Sequence, residues 1–121
     1  MLQKKGFTLI ELVMIIVILA ILALVALPYY YNLSSDANTS SEGGVVGGVR
    51  AGIATWFANT KSFPTTLDGA SNGACTTSNA CFVTVLGQGG VTSQWTRVAA
   101  TQYTGPTTTT YTYVPATGSF Q

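Results

Sequence analysis

Glu11 stands inside an apolar run from Phe7 to Leu27, where an ionised carboxylate costs on the order of a few kcal/mol unless a cation pairs with it. Lys4 and Lys5 precede it by seven and six residues, outside the three- or four-residue spacing at which helical side chains meet. The partner must come from elsewhere. Cutting the peptide bond after Gly6 would create one, the new α-amino group of Phe7, on the same chain or a neighbour. Two unit charges about 4 Å apart at an effective dielectric of roughly 20 attract by about 4 kcal/mol before desolvation. That is enough to select a register between assembling copies. The alternative is a carboxylate near the membrane edge that reaches toward headgroups.

Little else in the chain offers reactive chemistry. There is no histidine, and beyond Glu11 the only acids are Asp36, Glu42 and Asp68, too few to assemble a hydrolase triad or a paired-carboxylate site. The expectation is a protein without catalysis or cofactor, with Asp68-Gly69 forming a turn. Cys75 and Cys81 are the only cysteines, with five residues between them in a Ser-, Thr-, Asn- and Gly-rich stretch, and a short loop brings such a pair within bonding range. A metal pair would need further ligands, which leaves the disulfide, provided that this part of the chain lies in an oxidising compartment. Charged residues are 7% of the chain and scattered singly after Glu11, so no basic stripe exists to neutralise phosphates and no nucleic-acid site is visible.

These residues depend on the element that carries them. Leu12 to Leu27 are sixteen consecutive apolar residues, and Phe7 to Glu11 extend the segment to twenty-one before Pro28. About twenty suffice to cross a bilayer as helix. A cleavable secretory signal would have a shorter apolar core and a small-residue site, whereas this one runs on into Pro28 and Tyr29 to Tyr31. Lys4 and Lys5 lie before the span and the next basic residue is Arg50, which keeps the amino terminus cytoplasmic and sends the remainder outward. The cysteines then face an oxidising space.

The stretch Lys5-Gly6-Phe7-Thr8-Leu9-Ile10-Glu11-Leu12-Val13 resembles the cleavage and methylation signature of type IV prepilins and pseudopilins. The resemblance implies cleavage between Gly6 and Phe7 by a membrane prepilin peptidase, methylation of the Phe7 amine, and docking of Glu11 against the amino terminus of an adjacent subunit. It also implies an inner-membrane assembly platform, a motor ATPase and related pilin subunits as partners. Gly6 has no side chain to obstruct a protease, and Lys4 and Lys5 hold the leader in the cytoplasm. Asn32-Leu33-Ser34-Ser35-Asp36-Ala37 is similar to the region after the span in mannose-sensitive haemagglutinin-type pilins. Pro28 falls where many pilins carry proline and should kink or loosen the helix. Two departures stand out. Ala20 replaces a glycine common among relatives, leaving open whether the helix melts between Ala20 and Pro28 on assembly, and Cys81 leaves forty residues beyond it where many pilins staple a larger loop.

Past the span, Val45, Val46, Val49, Ile53, Trp56 and Phe57 fit one helical face, ended by Phe63-Pro64. Gly43, Gly44, Gly47, Gly48 and Gly52 weaken that helix and suggest close approach of a sheet or a neighbouring subunit, with a flexible linker over 40–48 as the alternative. Residues 64–80 read as a surface loop, followed by strands at 82–86, 94–99 and 108–114 and a turn at 115–118. The expected fold class is α+β, a long amino-terminal α-helix whose first half is transmembrane, packed on a small antiparallel β-sheet. The expected divisions are a leader at 1–6, a membrane and filament-core helix at 7–28, a periplasmic helical part at 29–63 and a sheet head at 64–121. A pilus subunit located first in the inner membrane and then outside the cell is the leading expectation. A periplasmic pseudopilin of type II secretion and a signal-anchored protein that forms no filament are the alternatives.

Overall fold

The computed structural model describes residues 6–121, so Lys4 and Lys5 lie outside the described residues. One helix, α1, runs over Leu9–Thr60 with Pro28 inside it. The chain divides into two compact units after Asp36. In the first, every large apolar side chain from Phe7 to Leu33 is at least 45% exposed, so this part of the chain buries none of them against its own fold.

The second unit pairs the rest of α1 with a five-stranded sheet: β1 (Gly73–Ala74), β2 (Thr96–Ala99), β3 (Gln102–Thr104), β4 (Thr110–Val114) and β5 (Ser119–Phe120). Neighbours in sequence are neighbours in space and all pairs are antiparallel, with short turns joining β2 to β5 and residues 75–95 connecting β1 to β2. The α+β expectation therefore holds. Val46, Val49 and Ile53, spaced three and four apart, are buried against Leu67, Phe82, Trp95, Tyr103, Tyr113 and Phe120. Alternation along β4 turns Tyr111 and Tyr113 to the same inner side, as their spacing predicts. Trp56 and Phe57 continue the helical pattern but remain 36% and 40% exposed, and Phe57 stacks on Phe63 instead, ring centroids 4.6 Å apart.

Several expectations change. Residues 40–48 are helix rather than linker. Of the five glycines only two have close neighbours: a side chain on Gly52 would overlap the Val85 carbonyl, and one on Gly48 would come within 3.2 Å of Leu86. The helix stops at Thr60, before Phe63-Pro64, because Lys61 turns left-handed (φ 59°) while its N–H donates to the Phe57 carbonyl at 2.8 Å. No strand forms at 82–86. Phe82 is left-handed (φ 61°), and the Val85 and Leu86 N–H groups both donate to its carbonyl, closing a turn. Its ring nonetheless lies at the centre of the core, 4.3 Å from Tyr103 and 5.4 Å from Trp95. Nor is 64–80 only surface, since Pro64, Leu67, Asp68 and Cys75 are buried.

Two buried carboxylates tie the pieces together. Glu42 on α1 accepts from the Thr107 N–H (2.8 Å) and hydroxyl (2.7 Å), both at Oε2, and from the Tyr111 hydroxyl (2.7 Å) at Oε1. The β3–β4 turn can close over it because Gly105 has no side chain where the carboxylate sits. Asp68 accepts from the N–H groups of Phe82 (2.9 Å) and Ala70 (3.2 Å), and its Oδ1 lies 3.1 Å from Arg97 Nε. The Asp68-Gly69 turn is thus present, but its acid faces inward. Burial, followed by the Asp68 charge beside it, pushes the Tyr103 phenol well above its ordinary range.

Burial acts to raise the Glu42 pKa, but hydrogen bonds from Thr107 and Tyr111 outweigh it and hold the carboxyl below its ordinary value of 4.5. A depressed carboxyl contributes stability that is complete above the unfolded-state pKa and is lost as pH falls through the folded one. Wild type should therefore lose stability below about pH 4.5 more steeply than Glu42→Gln, as followed by tryptophan fluorescence during denaturation. At neutral pH, Glu42→Ala should cost about 1–3 kcal/mol, because it removes the acceptor of the half-buried Thr107 and Tyr111 donors.

Candidate functional site

The first turn of α1 gathers the residues singled out at the amino terminus. Gly6, Phe7 and Thr8 precede the helix, are not helical and are exposed, Phe7 by 83%. The peptide bond between Gly6 and Phe7 therefore lies in open chain, the form a protease can bind. A side chain built on Gly6 would meet no atom within 4 Å, so this chain's own packing places no demand for glycine there.

Thr8 is the helix cap. The Glu11 N–H donates to Thr8 Oγ1 at 3.3 Å, and the Thr8 N–H donates to Glu11 Oε2 at 3.0 Å. This reciprocal pair satisfies two of the amide donors that a helix start leaves without partners. The Thr-x-x-Glu spacing immediately before an apolar run is its sequence signal, and a reading that weighed Glu11 only for cations passes over it. The cap also directs the carboxylate back to the helix start, one residue from the nitrogen that cleavage would free. Among the described residues no cation pairs with Glu11. Beside it Phe7, Ile10, Met14 and Ile15 line a shallow apolar recess, and a second one flanks Pro28, lined by Leu22, Val25, Ala26, Tyr29, Tyr30 and Leu33.

In the second unit Cys75 and Cys81 are joined in a disulfide. The acids of that unit are not gathered into one site: Glu42 and Asp68 are buried in separate hydrogen-bond sets, 42 with the β3–β4 turn and 68 with the turn before β1.

These features define an α+β protein with one helix long and apolar enough to cross a membrane, which fits membrane anchoring, and a capped, accessible segment ahead of that helix. The family described as the prokaryotic N-terminal methylation motif matches residues 1–27, the span that contains Gly6, Phe7, Glu11 and most of the apolar run. No curated protein and no solved structure matches the chain. The motif supports a precursor similar to type IV pilins and pseudopilins.

Replacing Thr8 by valine removes the Oγ1 acceptor while keeping the branched shape, at a cost to the helix start of about 1 kcal/mol. In detergent micelles the Glu11 amide should then exchange with deuterium on the order of fivefold faster while that of Ile18 is unaffected. Equal exchange at Glu11 in both proteins would show that the cap does not hold the helix start.

Proposed function

We propose that this chain is the structural subunit of a type IV pilus, cleaved after Gly6, methylated on Phe7 and polymerised through the first half of α1. The observation that carries the reading is the methylation motif at residues 1–27, with its Gly6–Phe7 bond in exposed, non-helical chain immediately ahead of a capped helix.

The apolar surface of residues 7–33 supports assembly. In the membrane lipid covers it, and in a filament the same segments of neighbouring copies replace lipid without exposing it to water. The Phe7 amine and the Glu11 carboxylate then supply the directional contact, with the Thr8 cap holding the carboxylate toward the helix start. Prepilin peptidase makes the cut, and an inner-membrane platform with a motor ATPase supplies the work of extraction. Adhesion, surface motility or DNA uptake follows from the polymer rather than from a site on one subunit. Use of the buried acids Glu42 and Asp68 as structural acceptors supports a non-catalytic reading.

Replacement of Gly6 by leucine should leave an unprocessed precursor in the inner membrane with its head folded, because nothing in the chain packs against this position. Glu11→Ala should be cleaved and yet form few or no filaments. Processing of Gly6→Leu at the wild-type rate would overturn the assignment of the leader, and normal filaments from Glu11→Ala would overturn the docking role of the carboxylate. Intact mass spectrometry of material sheared from cells should find a chain that begins at methylated Phe7. The same processed chain confined to the envelope would make this a pseudopilin, and one retaining Met1 to Gly6 would make it a signal-anchored protein.

A further inference from the structure

The sheet order leaves β1 at an edge, and an edge strand presents main-chain groups that another chain can pair with. Just past β1 the Cys75 N–H donates to the Trp95 carbonyl at 2.8 Å, continuing the β1–β2 register, so by alternation the main-chain groups of Ala74 point away from β2. Asn79 meets the Ala74 carbonyl there. Its Nδ2 donates to the carbonyls of Ser71 (3.0 Å) and Ala74 (3.2 Å), and its Oδ1 accepts from the Ser71 N–H at 2.8 Å. Its main chain exchanges two further bonds with Thr76, at 3.2 and 3.1 Å. A carboxamide carries the same donor and acceptor as a peptide unit. Asn79 thus takes the place that an adjacent strand would take. The disulfide closes the loop that carries it, between Cys75 and Cys81.

We propose that Asn79, held by the Cys75–Cys81 loop, is a built-in cover on the β1 edge, and that the uncovered edge pairs antiparallel with the same edge of a second copy. Two identical edges related by a two-fold axis are self-complementary, each offering the donors and acceptors the other lacks. Charge does not oppose a like partner. Residues 71–80 contain no charged side chain, and the guanidinium of Arg97 opposite β1 is engaged by Asp68 and Asn72, so two copies meet without repulsion. The cover thereby keeps heads from pairing through their β1 edges.

The test is sedimentation velocity of the full chain in excess detergent, in a Trp56→Phe background so that Trp95 fluorescence alone reports the folded head. Asn79→Ala should self-associate at least tenfold more tightly than wild type, and Asn79→Ser, which removes the carboxamide without adding a charge, should change in the same direction. Adding Ala74→Lys to Asn79→Ala places like charges on the two paired edges and should return association to within twofold of wild type. Folded Asn79 variants that associate no more than wild type would overturn the proposal. So would association that persists with Ala74→Lys, or loss of the folded Trp95 signal in both single variants, which would make Asn79 a folding residue instead.

Discussion

A backbone that enters hydrocarbon must satisfy its own hydrogen bonds, and a helix does so everywhere except at its ends, where four N–H groups at the start have no partner within it. The amino terminus of this chain is organised around that constraint. Thr8 and Glu11 close two of the open donors, and the helix start is thereby fixed immediately after the exposed Gly6–Phe7 segment, within the span that the methylation motif matches. A carboxylate so placed satisfies the helix end, lies at the positive end of the macrodipole and faces the site where a new cation would arise. The cap gives this carboxylate hydrogen-bond partners at the head of an otherwise unbroken apolar run.

The second unit buries both of its acids, Glu42 and Asp68. Burying a charge costs several kcal/mol unless donors surround it, so each buried acid collects them from separate segments: Glu42 from the β3–β4 turn and β4, Asp68 from the chain before β1 and the turn at Phe82. Arg50 acts in the same way from the helix, its Nε donating to the Phe120 carbonyl at 2.9 Å. These contacts join α1 to the sheet where the apolar core alone, with strands of two to five residues, would specify the register weakly.

How much of this was legible in the sequence follows the range of each interaction. The membrane-capable run, the helical face at Val46, Val49 and Ile53, the strands near 96–99 and 110–114 and the disulfide all rest on local pattern or on a pair of cysteines, and all appear in the structure. Phe82 to Leu86 has the composition of a strand, yet a left-handed Phe82 makes it a turn, because Asp68 fourteen residues earlier accepts the Phe82 N–H. Leu67 lies in a polar stretch and becomes core only through residues distant in sequence. The role of Glu42 needed Thr107 and Tyr111, sixty-five and sixty-nine residues away, to be visible. Thr8 is the exception. Its partner is three residues off, and the Thr-x-x-Glu pattern was there to be read.

The position of the disulfide settles what holds the carboxyl-terminal third. A bridge acts mainly on the unfolded chain, and one closing a loop of this length contributes about 2 kcal/mol, against nearly 5 for a loop of roughly a hundred residues. It fixes the 75–81 loop and leaves the last forty residues unstapled. Those residues are held instead by non-covalent contacts that converge on the final strand. Phe120 is buried among Phe82, Tyr103 and Tyr111, its carbonyl accepts from Arg50, and Gln121 exchanges two main-chain bonds with Thr112. Tyr113 adds a hydroxyl bond to the Pro64 carbonyl at 2.6 Å, joining the strand to the segment just after the helix. Where a longer staple would restrain the chain end covalently, here the last aromatic residue and one arginine on α1 take that role. The fold of the head therefore depends on its final two residues.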